Sequence, residues 1–252
     1  MVQINQPLLY DIHMEVDNKE NIYLKDQIKN IIVNSSSSKI SNAAIYKRIN
    51  KMITLGELSR VGNGQYVFVN KAKFDYKTGL NNSLSVVNKL NEKFDKSAKY
   101  VIYETTLLNM FLNHLIAWPT LIVEVEKDLV DSVFWFLKDE GLNNVLLNPT
   151  ENENYMYNPY DGSGVIVKTM VSKSPIDNKN HKIKIEKILV DIVCDKTLNM
   201  FYEGAEIPHM VEDILDKYAV KFDTVKNYAK RRHCYDRFIK YVPEKLKGVF
   251  RD

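Results

Sequence analysis

Residues 41–69 read SNAAIYKRINKMITLGELSRVGNGQYVFV, and this stretch decides how the N-terminal part of the chain folds. Ile45, Ile49, Met52 and Ile53 fall at i, i+4, i+7 and i+8, the single apolar stripe of an amphipathic helix. Ser41 stands where an N-cap belongs, and Gly56 where a glycine ends a helix. Two short β-prone runs follow around Gly62-Asn63-Gly64, a tight-turn signal that predicts a hairpin. The helix face opposite the stripe is Asn42, Ala43, Tyr46, Lys47 and Asn50, with Arg48 and Lys51 on its shoulders.

Upstream, residues 7–17 carry Leu8, Leu9, Ile12 and Val16 at helical spacing, and residues 23–33 carry Leu24, Ile28, Ile31 and Ile32. A polar loop at 34–39 with four consecutive serines separates the second of these from the helix after Ser41. Three helices and a hairpin in residues 1–74 predict a winged helix-turn-helix. Patterning weakens at 75–80, where a boundary is expected. Beyond it the order is a helix at 80–94, a strand at 99–103 and a buried helix at 105–116. A strand at 121–126, a helix at 128–140 ended by Gly141 and a short strand at 145–147 imply a crossover and at least one parallel pair. A tyrosine-rich polar loop at 148–163 leads to a strand at 165–171, and helices at 184–195, 206–218 and 223–241 close the chain. The expected class is α+β: the winged domain, then a mixed α/β domain at 80–252 with a small sheet and several helices.

Charge is uneven along the chain. Residues 1–74 hold 10 Lys+Arg against 6 Asp+Glu, residues 75–220 hold 15 against 22, and residues 221–252 hold 10 against 4. Polyanion contacts are therefore expected from the ends. The N-terminus has no basic stretch followed by an apolar run, and no apolar segment is long enough to span a bilayer, so a cytoplasmic protein without membrane contact is expected. Cys194 and Cys234 show no metal-ligand spacing, and two inert thiols in a reducing compartment are the expectation.

The face of the 41–55 helix has the composition of a duplex-DNA reader. No acid occurs between Asp26 and Glu57. Asn42 or Asn50 can pair bidentately with adenine, Tyr46 offers a ring and a hydroxyl, and Lys47, Arg48 and Lys51 reach guanine edges or phosphates. In the hairpin, Arg60 is expected at a phosphate and Asn63 at the slim tip. A protein-binding module with a solvated basic face is the competing reading. The last helix carries Lys226, Lys230, His233, Arg237 and Lys240 at spacings of 4, 3, 4 and 3, with Arg231 beside them. This stripe is a second basic surface for nucleic acid or an acidic partner, or a solvated helix face.

No catalytic, metal or cofactor site is expected. Gly162-Ser163 is followed by VIVKTMV, a strand without the paired carboxylates that a nucleotidyltransferase needs for Mg²⁺. Asp161 with Asp177 and Lys179 falls in loop-like sequence. Glu124 and Glu126 are read as the polar side of a half-exposed strand, and Asp191 as a partly buried acid facing Lys187 or a backbone amide. The five histidines show no ligand spacing, and His114 near Trp118 reads as a satisfied core histidine.

IYKRINKMITLGELSRVGNGQYVF resembles the winged helix-turn-helix of AbiEi-type antitoxins, with Met52, Gly56, Leu58, Arg60, Gly62, Gly64 and Tyr66 at the pattern's positions. YETTLLNMFLNHL and IKIEKILVDIV, the latter with Glu186 to Asp191, are similar to the two landmarks of that family's C-terminal domain, and NYAKRRHCYDRF has the basic character of its closing helix. Asn63 departs from the arginine frequent between the family's wing glycines, which puts insertion of the tip into the minor groove in doubt. The resemblance implies an antitoxin that represses its own operon and counteracts a nucleotidyltransferase-like toxin. The alternative is a nucleotidyltransferase-related enzyme or pseudoenzyme with an appended DNA-binding domain.

Overall fold

Leu24 ends a two-residue strand and starts a helix, because Gln27 reaches back to accept its backbone N–H at 2.7 Å. That strand is β1 (Tyr23–Leu24) and the helix α1 (Lys25–Asn34). The computed structural model describes residues 22–36, 40–55, 57–68, 71–76, 81–94, 98–117, 119–142, 144–150, 164–244 and 246–247. The expected helix at 7–17, the stop at Gly56, Trp118 and most of the 148–163 loop lie outside these residues. So do Asp161 and Gly162-Ser163. The chain divides into two compact units, Met1–Lys73 with Lys217–Asp223 and Glu244–Asp252, and Phe74–Asp216 with Thr224–Pro243.

In the first unit α1 leads to α2 (Asn42–Leu55), where the Ser41 hydroxyl accepts the Ala44 N–H at 3.2 Å as an N-cap. The hairpin β2 (Leu58–Gly62) and β3 (Gln65–Phe68) follows. β3 pairs antiparallel with both β1 and β2, so the sheet order is β1-β3-β2. Gly64 closes the turn at φ +70°, a conformation that side chains rarely adopt. Ile28, Ile32, Ile45, Ile49, Met52, Leu58 and Tyr66 form the core, with the expected α2 stripe inside it. Residues 217–223 complete this unit, a part that the boundary at 75–80 does not foresee. Ala72 donates to Lys217 O at 3.0 Å and accepts from Ala219 N at 2.9 Å, and buried Ser59 donates to Val220 O at 3.4 Å.

The second unit begins with α3 (Asn81–Lys93) and builds the sheet β4 (Tyr100–Glu104), β5 (Leu121–Val125), β6 (Val145–Leu147) and β7 (Val165–Thr169). The order is β4-β5-β7-β6, with β4 antiparallel and both β7 pairings parallel. Helix α4 (Val130–Asp139) makes the crossover from β5 to β6, and β7 fills the position between them. Gly141, at φ +87°, ends that helix region as expected: its N–H donates to Lys138 O and the Leu142 N–H to Leu137 O. Helices α3 and α4 pack on one sheet face through Val86, Leu90, Val133, Phe134 and Leu137. Next come the small hairpin β8 (Ile176–Asp177) and β9 (Lys182–Ile183), then α5 (Ile185–Cys194), α6 (Ile207–Lys217), α7 (Phe222–Arg231) and α8 (Tyr235–Tyr241). The α+β class stands on these helices and small sheets. None of the described helices is long and apolar enough to cross a membrane.

Three expectations fail, the first two for local reasons. Residues 105–116 are not a helix: Thr105–Met110 is a short 3-10 stretch. Thr105 is tied to Thr120 by both backbone and hydroxyl, and the Asn109 amide bridges the N–H and C=O of Ile116. These side chains take the backbone groups that a continuing helix would use. The expected helix at 223–241 is two helices. His233 turns left-handed at φ +53°, its N–H donating to Lys230 O while Cys234 N–H donates to Ala229 O, a Schellman ending. The third correction concerns the cysteines, which are a disulfide and not two thiols: Cys194 and Cys234 are bonded, with Cα atoms 6.1 Å apart.

The disulfide closes a loop of 40 residues from the end of α5 to the start of α8. Loop closure of that size contributes about 2–4 kcal/mol by restricting the unfolded chain. Cys194→Ser is therefore expected to lower the unfolding free energy by that amount in a denaturant titration under oxidising conditions. Equal midpoints and slopes for the two proteins would count against it.

Candidate nucleic-acid interface

Burying the Ile45, Ile49 and Met52 stripe turns the opposite face of α2 to solvent, since residues half a turn away point oppositely. Asn42, Tyr46, Lys47, Asn50 and Lys51 are all exposed on it. Arg48 separates from this group: it is half-buried, and its Nη1 donates to the Ser36 hydroxyl at 3.4 Å. Arg60 is exposed on β2, with Nε folded back to Gly62 O at 3.3 Å, and Asn63 is exposed at the turn. Two residues join the surface that the sequence reading missed. Lys25 Nζ lies 4.7 Å and Lys29 Nζ 5.5 Å from the centre of the Tyr46 ring. Their i, i+4 spacing on α1 is the sequence signal for them, and the apolar periodicity of that helix does not report it.

Of the second basic surface, Lys226, Lys230 and Arg231 lie on α7, while Arg237 and Lys240 lie on α8 beyond the left-handed turn. The stripe is thus split between two helices. Lys230 sits over the Tyr235 ring at 5.2 Å. His114 is not a core residue, as its side chain is 92% exposed and its Nδ1 lies 2.7 Å from Glu206 Oε1, a contact that raises its pKa. Asp177 and Lys179 belong to the β8–β9 turn, where the Asp177 carboxylate accepts the Lys179 N–H at 3.0 Å.

The sheet face opposite α3 and α4 holds the largest departure. Both faces of β5 are buried, so Glu124 is 1% exposed and not at a half-exposed edge. Its carboxylate meets Lys187 at 2.8 Å, Lys168 at 3.5 Å and the Tyr103 hydroxyl at 2.9 Å. Lys187, with no exposed surface, also donates to Asp191 at 2.5 Å and to the Tyr228 hydroxyl at 3.2 Å, so all three ammonium hydrogens are used. Asp191 accepts from Tyr228 and Arg232, and Asp195 from Lys168 and Arg232. The carboxylates of Glu124, Asp191 and Asp195 lie within 4.8 Å of one another, a spacing that suits a metal ion. Here Lys168, Lys187 and Arg232 supply the positive charge, three cations to three anions.

Burial raises the cost of charging Glu124 and Asp195, yet the cations beside them, Lys187 first for Glu124 and Lys168 first for Asp195, hold both carboxyls below their ordinary values. A carboxyl depressed in the folded state stabilises the fold above the unfolded pKa, and that stability is lost as pH falls towards the folded one. The network's contribution to stability is therefore expected to be flat from neutral pH to about 5 and to fall below about 4, where unfolded carboxyls take up protons. Lys187→Met leaves Glu124 and Asp191 short of a cation in the interior, at a cost of about 3–5 kcal/mol. Calorimetry across pH checks both, and a Lys187→Met protein as stable as the parent would contradict the network's role.

A comparison with family models matches residues 44–247 to a family of unknown function, DUF6577. Neither a search of curated proteins nor one of solved structures finds a match. The matched stretch runs from the start of α2 past the end of α8, and on it the chain belongs to the family of unknown function DUF6577.

Proposed function

We propose that the first unit is a winged helix-turn-helix that binds duplex DNA, and that the protein is a transcriptional regulator and not an enzyme. The observation that carries this reading is the exposed face of α2, with Asn42, Tyr46, Lys47, Asn50 and Lys51 on it and no acid in the sequence from residue 27 to 56. The hairpin that follows and the β1-β3-β2 order support it, because they are the order of elements that such a domain requires. In this reading Lys47, Lys51 and Arg60 neutralise phosphates and Asn50 reads a base edge. Arg48, held by Ser36, is a less suitable reader than the sequence suggested. The trio of buried acids gives the enzymatic alternative little support, since each is already bound to a cation of the chain.

The resemblance to AbiEi-type antitoxins adds a finer reading: autorepression from an operator in its own operon, and protection from a nucleotidyltransferase-like toxin by the second unit. Such a role places the protein in the cytoplasm, where a disulfide is subject to the reducing thiol pool. Co-expression with a neighbouring toxin gene, scoring growth and repression separately, tests this part. Reversing Lys230, Arg231 and Arg237 to Glu is expected to abolish protection and to leave repression intact.

DNA binding itself is tested by affinity as a function of salt. Lys47→Ala, Lys51→Ala and Arg60→Ala are each expected to weaken binding to all sequences alike. Asn50→Ala is expected to relax base preference at one position by roughly 1–3 kcal/mol. A folded Lys47→Ala/Arg60→Ala protein that binds as the parent does would sink the reading.

A further inference from the structure

We propose that Lys25, Lys29 and Tyr46 form a clamp for a single backbone phosphate of duplex DNA, with Tyr46 positioning the two ammonium groups. The inference rests on the DNA-binding reading above and extends it to α1, an element to which that reading gives no role. The two lysines lie on consecutive turns of α1, and both ammonium groups converge on one ring of α2, at 4.7 and 5.5 Å from its centre. Each ammonium group carries three donors; the Tyr46 hydroxyl takes one from each lysine and Asp26 one more from Lys29, so both keep a donor for an anion. Tyr46 is 39% exposed, and neither lysine is buried, so an extended polyanion can reach them. The Tyr46 hydroxyl titrates below its ordinary value because Lys25, and then Lys29, lies against it.

The position of the pair relative to the rest of the surface favours a strand of DNA over a small anion. The Lys25 N–H donates to Gly64 O at 2.8 Å, which fixes the start of α1 against the hairpin turn that carries Asn63. Tyr46 precedes Lys47 and stands one helical turn before Asn50. The clamp thus lies between the turn and the face of α2, as a backbone phosphate does when flanking groups read neighbouring positions. One acid opposes it: Asp26, 85% exposed, pairs with Lys29 at 2.8 Å. A phosphate must displace this carboxylate, so Asp26 weakens binding.

The test uses the full chain and a labelled random-sequence duplex, whose binding reports phosphate contacts alone. Lys25→Gln/Lys29→Gln is expected to reduce the slope of log affinity against log salt by about 0.9, the value for one phosphate. Tyr46→Leu, which removes both ring and hydroxyl, is expected to lose a similar increment in the parent and to lose nothing further in the double-lysine variant. Asp26→Asn is expected to bind tighter. Thermal unfolding shows that each variant is folded. An unchanged slope overturns the proposal, and so does a loss of about 1.8, which means two separate phosphates. Asp26→Asn binding no tighter also counts against it. A parent chain without salt-dependent binding overturns the DNA reading together with the clamp, whereas binding that ignores Lys25 and Lys29 but falls with Lys47 and Arg60 overturns the clamp alone.

Discussion

Lys187 is a cation with no exposed surface in a helix whose buried apolar positions are Ile185, Ile188, Leu189, Val190, Ile192 and Val193. Stripping water from an ammonium group costs several kcal/mol, and only well-placed partners return it. Those partners come from three elements: Glu124 from β5, Asp191 one turn along α5, and the Tyr228 hydroxyl from α7. An apolar helix on an apolar sheet face has many nearly equal ways to lie, because hydrophobic contact has no direction. The ion network removes that freedom, since a shift of α5 by one residue parts Lys187 from Glu124 and Asp195 from Lys168 in the interior. Its contribution is better described as the register of α5 on the sheet than as net stability.

The C-terminal helices take their course from the same centre. Arg232 leaves the last turn of α7 to reach Asp191 and Asp195, and two residues later Cys234 is bonded to Cys194. Both attachments fall within the Schellman ending around His233. A straight helix through residues 223–241 could not satisfy them together. The cost of the break is the continuity of the basic stripe, whose cations divide between α7 and α8.

The first unit works on another principle. Its core is apolar and small, and its chemistry lies outside: exposed amides, cations and a tyrosine on α2, two lysines from α1, and a glycine turn held by the Lys25 N–H. A buried, internally neutralised network suits a scaffold, whereas exposed cations suit a polyanion.

The α2 stripe, its exposed face, the Ser41 cap, the Gly64 turn and the strand–helix–strand order around α4 were legible in the amino-acid sequence, because each depends on periodicity or on backbone preferences within a few residues. The two-sided burial of β5 was not legible, since alternation in LIVEV reads alike for one covered face and for two. Glu124, Lys168, Asp191, Asp195 and Arg232 come from four separate segments, and nothing local to any of them foretells the others. The same holds for Cys194 and Cys234, for the addition of residues 217–223 to the first unit, and for the meeting of Lys25 and Lys29 with Tyr46. Local free energies determine which segments become helices and strands. Only the packing of those segments decides which charges must share an interior, because the cost of a buried charge exists only once its water has been displaced by a distant part of the chain.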